Sequence, residues 1–173
     1  MMEDGEEVMC FMFRLNYFDA ENHYSELLKY CLKYSDSFSV ISSIKKPYSK
    51  IPPTCEHDGV FQQWDSCLTK QIIGVKKWPG TETKDNHKVL NLYDSRKFRT
   101  TFLDLPNLFS PIENKLPEDI CFYRDNYAWL ATVSHEKIAF LYSATKEDLD
   151  FLKQMDIRYV QSGDSIRKDR GRF

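Results

Sequence analysis

Ile120-Cys121-Phe122-Tyr123 and Tyr127-Ala128-Trp129-Leu130-Ala131-Thr132-Val133, separated by Arg124-Asp125-Asn126, form the stretch whose reading decides the fold. Both runs are rich in aromatic and β-branched residues, which suit a pleated, half-buried surface. The polar triplet between them is short and contains the residues that tolerate tight turns. The pattern predicts a β-hairpin. Strict alternation puts Tyr127, Trp129, Ala131 and Val133 on one face, and Ala128, Leu130 and Thr132 on the other. Ile138 to Tyr142 follows closely enough to add a third strand to the meander.

C-terminal to this unit, Thr145-Lys146-Glu147-Asp148 has the form of a capping box, with an acid three positions after the threonine. The helix it opens should run to about Met155 and bury Leu149, Leu152 and Met155. Ile157 to Val160 predicts a last short strand. N-terminal to the meander, residues 104–118 carry Pro106, Pro111 and Pro117, and read as a long connection packed onto the core. Residues 94–103 are assigned to a helix, and Val89 to Tyr93 to a strand. Ile72, Ile73 and Val75 form a short strand that stops at the turn Trp78-Pro79-Gly80-Thr81. Phe61, Trp64, Cys67 and Leu68 have the spacing of a helix over 60–69.

The three prolines between Lys45 and Pro53 break regular structure. Residues 36–46 read as a half-buried strand with the larger apolar groups at even positions. Asp19 is the expected N-cap of a helix over 20–34, with Tyr24, Leu27, Leu28 and Cys31 on its inner face. Val8 to Leu15 is the first strand. The order excludes a doubly wound parallel sheet, because strands and helices do not alternate throughout. The expected fold is α+β: a mostly antiparallel sheet, a C-terminal three-stranded meander, and two or three packing helices. Residues 1–7 are an acidic leader, 8–160 a single domain, and 161–173 a polar basic tail.

Three motifs support a resemblance. Trp78-Pro79-Gly80-Thr81, Leu116-Pro117-Glu118-Asp119-Ile120-Cys121-Phe122-Tyr123 and Ser134-His135-Glu136, with Trp129-Leu130 between the last two, occur in this order. The stretch from Lys77 to Met155 thereby resembles a group of small bacterial proteins, some of which carry a sporulation-stage name. The resemblance implies a cytosolic bacterial or phage-related protein and supplies no catalytic assignment.

Bulk properties narrow the function. The formal net charge is −2, so nucleic acid is a poor candidate partner, because such binding draws on a basic excess to neutralise phosphates. Arg167, Lys168, Arg170 and Arg172 make the tail basic, but Asp164 and Asp169 dilute it. An odd number of irregularly spaced cysteines (Cys10, Cys31, Cys55, Cys67 and Cys121) points to reduced thiols and a cytoplasmic location. No apolar run reaches the roughly 20 residues of a membrane span. Nucleotide-cradling glycine loops and the G-x-S-x-G elbow do not occur. No cofactor is expected.

Three groups of residues can still carry chemistry or contact. His135 and Glu136 sit at a strand end, with Glu118 and Asp119 before the paired strand. Together they can form an acid–base or metal-binding cluster of a small hydrolase or nuclease, although such residues at hairpin ends are most often solvated. Cys55, His57 and Cys67 offer soft ligands without the paired spacing of structural zinc sites, and no metal is expected. Aromatic residues make up 14% of the chain, more than a domain of this size can bury completely. Tyr48, Trp78, Tyr127 and Trp129 are the expected contact residues. The leading expectation is a small protein-binding or inhibitory protein, of the toxin-neutralising or phage counter-defence type, whose partner is another protein. The hydrolase or nuclease is the alternative.

Overall fold

Asp125 and Asn126 both take positive φ, 49° and 65°, the backbone of a two-residue turn whose twist matches the strands it joins. The hairpin therefore closes one residue tighter than the polar triplet suggests. The computed structural model describes residues 9–45, 54–55, 65–96, 109 and 117–166. In chain order these contain β1 (Met9–Leu15), α1 (Tyr17–Asn22), α2 (Tyr24–Tyr34), β2 (Ser37–Lys45), β3 (Thr54–Cys55), β4 (Leu68–Ile73), β5 (Lys77–Trp78) and β6 (Thr81–Glu82). They continue with β7 (Lys88–Asp94), β8 (Glu118–Arg124), β9 (Tyr127–Val133), β10 (Ile138–Tyr142), α3 (Lys146–Gln154) and β11 (Tyr159–Ile166).

Eight strands make one sheet in the order β11-β1-β10-β9-β8-β2-β7-β4, with the two-residue β3 attached to β2. Its pairings are all antiparallel, and β5–β6 is a separate hairpin. The class is α+β, as expected, and the β8-β9-β10 meander forms its middle. No helix among the described residues is long and apolar enough to cross a membrane.

The helices cover one face. Leu27, Leu28 and Cys31 of α2 and Leu152 of α3 join Phe38, Val40, Ile120, Phe122 and Leu141 in the main core. Burying a side chain of the size of leucine or phenylalanine stabilises the fold by about 1.5–3 kcal/mol, so this layer dominates the stability. Across the sheet, Trp78 of β5 packs on Ile41 and Leu90. The β2 strand is thus buried on both faces, Phe38 through Ser42, rather than half buried. Its position explains why: it runs between β7 and β8 near the middle of the sheet.

Alternation along β9 fails at one point. The register shifts between Phe122 and Tyr123, so that Phe122 opposes Leu130 and Tyr123 opposes Ala128. Trp129 is the extra residue of a bulge, and both Trp129 and Leu130 enter the helix-side core. Ala128 and Ala131 pack on the opposite face with Cys121 and Tyr123.

Other boundaries also differ. The first helical region is two helices: the Asn16 side chain caps α1 by accepting from the Asp19 amide at 3.2 Å. Asp19 itself lies inside α1 and grips Arg158 instead. Leu68 begins a strand, preceded by a short 3-10 turn at Asp65–Cys67; the β-branched Thr69, Ile72 and Ile73 outweigh the helical spacing. β11 continues through residues 161–166, which the expected tail included and which pair with β1. Phe109 is buried, as the packed-connection reading expects. The acidic leader, the proline-rich loop, residues 60–64 of the expected helix, residues 97–103, most of the connection before the meander, and the basic run 167–173 lie outside the described residues.

Candidate functional site

The three motifs behind the resemblance meet at one carboxylate. Asp119 is buried and takes φ 50°. Its Oδ1 accepts from the Ser134 amide at 2.7 Å, and the Ser134 hydroxyl in turn accepts from the Asp119 amide at 2.9 Å. Its Oδ2 accepts from Trp78 Nε1 at 2.9 Å and from the Thr81 hydroxyl at 3.3 Å. Both buried carboxyl oxygens are thereby supplied with hydrogen-bond donors, which offsets the cost of taking them out of water. The β5–β6 hairpin is thereby fastened across the sheet to the β8 entry and the β9 exit. Gly80 makes the close approach possible: at φ 85° it lies where a Cβ would come within 2.9 Å of Val133 Cγ2.

The remaining members of the expected acid–base group are arranged differently. His135 and Glu136 sit on the 3-10 turn after β9 (Ser134–Glu136), with more than half of each side chain exposed. Their Nε2 and Oε1 atoms are 3.7 Å apart. Glu118 is half buried at the start of β8. Asp119 and Ser134 are brought together, while Asp119 spends both oxygens on the fold. Among the described residues no group of three or more His, Cys, Asp or Glu side chains is arranged to hold a metal ion. His57 lies outside them.

Of the expected contact residues, Trp78 and Trp129 are buried. Trp78 is committed to Asp119 and the β2–β7 core. Trp129 belongs to a second polar node. Asp148 accepts from both terminal nitrogens of Arg124 at 2.8 Å, from the Tyr30 hydroxyl at 2.9 Å, from Trp129 Nε1 at 3.2 Å and from the Thr145 amide at 2.8 Å. Burial pushes the Asp148 carboxyl up, but the Arg124 pair and the other donors outweigh it and hold it below its ordinary value. Burial, then the bond to Asp148, pushes the Tyr30 phenol up to about 12. Arg124 further donates from Nε to the Tyr34 carbonyl. The node ties α2, β8, β9 and α3 together. Tyr127 is half buried, and Tyr48 lies outside the described residues.

Exposed apolar groups are found elsewhere. Leu68 (36% exposed) and Ile73 (58%) lie on β4, the last strand of the sheet. Directly opposed residues share a face, and β4 opposes β7 as Leu68 to Tyr93, Lys70 to Leu92, Gln71 to Asn91, Ile72 to Leu90 and Ile73 to Val89, with a bulge at Thr69. Leu68, Gln71 and Ile73 therefore line the helix-bearing side of the sheet. Lys70 and Ile72 line the other, where Ile72 packs on the Trp78 cluster. Four of the six β4 residues in sequence, Leu68 to Gln71, and then Ile73 are solvent-facing. Among the described residues β4 pairs only with β7, which leaves its outer row of backbone donors and acceptors open.

The sequence places Ile72 and Ile73 in a strand, as observed, but its helical spacing at Leu68 hides the first part of this edge. The density of β-branched residues from Thr69 to Ile73 is the signal that points to it. Asp148 was legible as a cap, but not as the partner of Arg124, which lies 24 positions away. No protein-family model, no curated protein and no solved structure matches this chain.

Proposed function

We propose that this protein acts by docking onto another protein, as toxin-neutralising or phage counter-defence inhibitors do, and performs no catalysis of its own. The observation that carries the reading is the terminal strand β4, an exposed edge with Leu68 and Ile73 projecting from it. An open edge gives a partner main-chain hydrogen bonds, and the exposed side chains give it apolar contact. Of the residues that offered chemistry, Asp119 is spent on fastening a hairpin, while His135 and Glu136 lie exposed on the turn after β9. A cytoplasmic, reducing setting is supported by Cys31, Cys67 and Cys121, which are buried free thiols.

The test is affinity capture from the source organism with the tagged full chain, run beside an Ile73→Lys variant. That substitution places a charge on an exposed position and leaves the core alone. A protein retained by the unaltered chain and lost by the variant is the expected result. Failure to retain any protein reproducibly overturns the reading, as does retention that ignores the change in β4.

A further inference from the structure

We infer that β4 takes as its partner an extended, acidic segment of another protein, which adds to the sheet as a further antiparallel or parallel strand. This rests on the docking reading above and specifies what docks. The six residues of β4 offer an edge about 20 Å long at roughly 3.3 Å per residue. One side of that edge carries the ridge Leu68-Gln71-Ile73, suited to apolar side chains at alternate positions of an added strand. The other side carries Lys70, exposed at the middle of the strand. Lys76 is exposed just beyond the Gly74 turn, and no acidic residue occurs from Ser66 to Lys76. An incoming strand with a carboxylate on that side meets the Lys70 ammonium, and one with a lysine there meets repulsion.

The same features argue against a second copy of this chain. Two β4 strands placed edge to edge in antiparallel fashion bring both Lys70 ammonium groups close to the shared axis, and like charges at neighbouring cross-strand positions oppose pairing. A central lysine and a bulge are also the devices by which edge strands avoid self-pairing. The bulge falls at Thr69, whose hydroxyl turns back to the Leu92 carbonyl at 3.0 Å. An edge that is apolar at its ends and cationic in its middle is therefore closed to itself and open to an acidic strand.

The experiment is selection of displayed random peptides on the full chain, followed by anisotropy titration of the enriched peptides. Amide exchange then maps where they bind. Enriched sequences should alternate acidic with apolar residues and slow exchange in 68–73. Their affinity should fall more than about tenfold in Lys70→Glu, where a cation becomes an anion. Gln71→Pro serves as a second, backbone variant, admitted only if its circular dichroism matches the parent. Peptides without acidic residues, equal binding to Lys70→Glu, exchange protection confined to another region, or concentration-dependent dimerisation through β4 would each overturn the inference. The outcomes separate the two claims. A captured protein partner that binds Lys70→Glu unchanged but not Ile73→Lys removes the acidic strand and leaves the docking reading in place. Loss of all protein capture removes the docking reading itself.

Discussion

The Arg124 guanidinium lies over the Trp129 ring, 3.3 Å from its centroid, while its terminal nitrogens hold Asp148. The bulge in β9 is what turns Trp129 to this side. Stacking on the indole covers the weakly hydrated face of the guanidinium, and the carboxylate takes its in-plane donors. Each partner satisfies a different part of the cation, so the node tolerates burial that an isolated ion pair would not.

Removing one half of this node should be costly. Arg124→Met leaves Asp148 buried without its counter-ion, and breaking a buried pair from one side typically costs about 3–5 kcal/mol. Arg124 keeps some access to solvent, so a loss of about 3 kcal/mol is expected. Urea unfolding measures it through the transition midpoint. A change below about 1 kcal/mol would show that the node adds little.

The node also sets a pH response. The folded Asp148 carboxyl is held below its unfolded value, so the folded state binds fewer protons in the acid range. Its stabilisation is fully present above the unfolded carboxyl range and is lost as pH falls through the lowered folded value. Tyr30 acts in the opposite direction: its folded pKa is raised from 10 to about 12. The contribution of Tyr30 is present below pH 10 and is lost as pH rises toward 12. Asp148→Asn should flatten the acid limb of stability against pH and Tyr30→Phe should lessen the alkaline slope, both read by thermal melts across pH.

The hairpin clasp gives a local prediction. Asp119→Ala strips the acceptor from the Trp78 indole and the Ser134 amide, and leaving buried donors unpaired costs about 1–3 kcal/mol each. Gly80→Ala attacks the same clasp sterically, with a disfavoured φ and a contact at 2.9 Å. Both variants should lose stability and expose Trp78 to water, shifting tryptophan emission to the red. Unchanged emission in both would show that the hairpin stays down without the clasp.

One position should respond favourably. Ser143 takes φ 48°, and its buried hydroxyl has no hydrogen-bond partner among the described residues. Ser143→Gly removes the orphaned hydroxyl and relaxes the backbone while keeping the amide that donates to the Phe11 carbonyl. The gain from those two terms exceeds the added chain entropy of glycine, and a rise of about 0.5–1 kcal/mol is expected. A lower melting temperature would contradict it.

Local chemistry was the legible part of this fold. The capping box at Thr145 and Asp148, the meander and the Trp78-Pro79-Gly80-Thr81 turn are short-range arrangements, and propensity and spacing suffice to find them. Asp19 was misplaced because Asn16, three residues earlier, has the same capping chemistry, and only the distant Arg158 decides between them. Trp129 changed faces because a bulge depends on how two strands pair, which a periodic pattern in one strand does not encode. Leu68 was assigned to the wrong element because apolar residues at helical spacing also fit a strand edge with a bulge. For the site, the sequence offers Asp119 as part of an acid–base cluster with His135, Glu136 and Glu118, but its role as a fastener depends on Trp78 and Thr81, brought in from about 40 positions away.

The neighbours of β1 have a kinetic consequence. This first strand finds its partners, β10 and β11, at the other end of the described chain, and Asp19 meets Arg158 across 139 positions. During synthesis β1 must therefore wait, with Phe13 lacking the core it packs against, until β10 and β11 have emerged. Chaperone dependence in this protein should track the time that β1 spends waiting for β10.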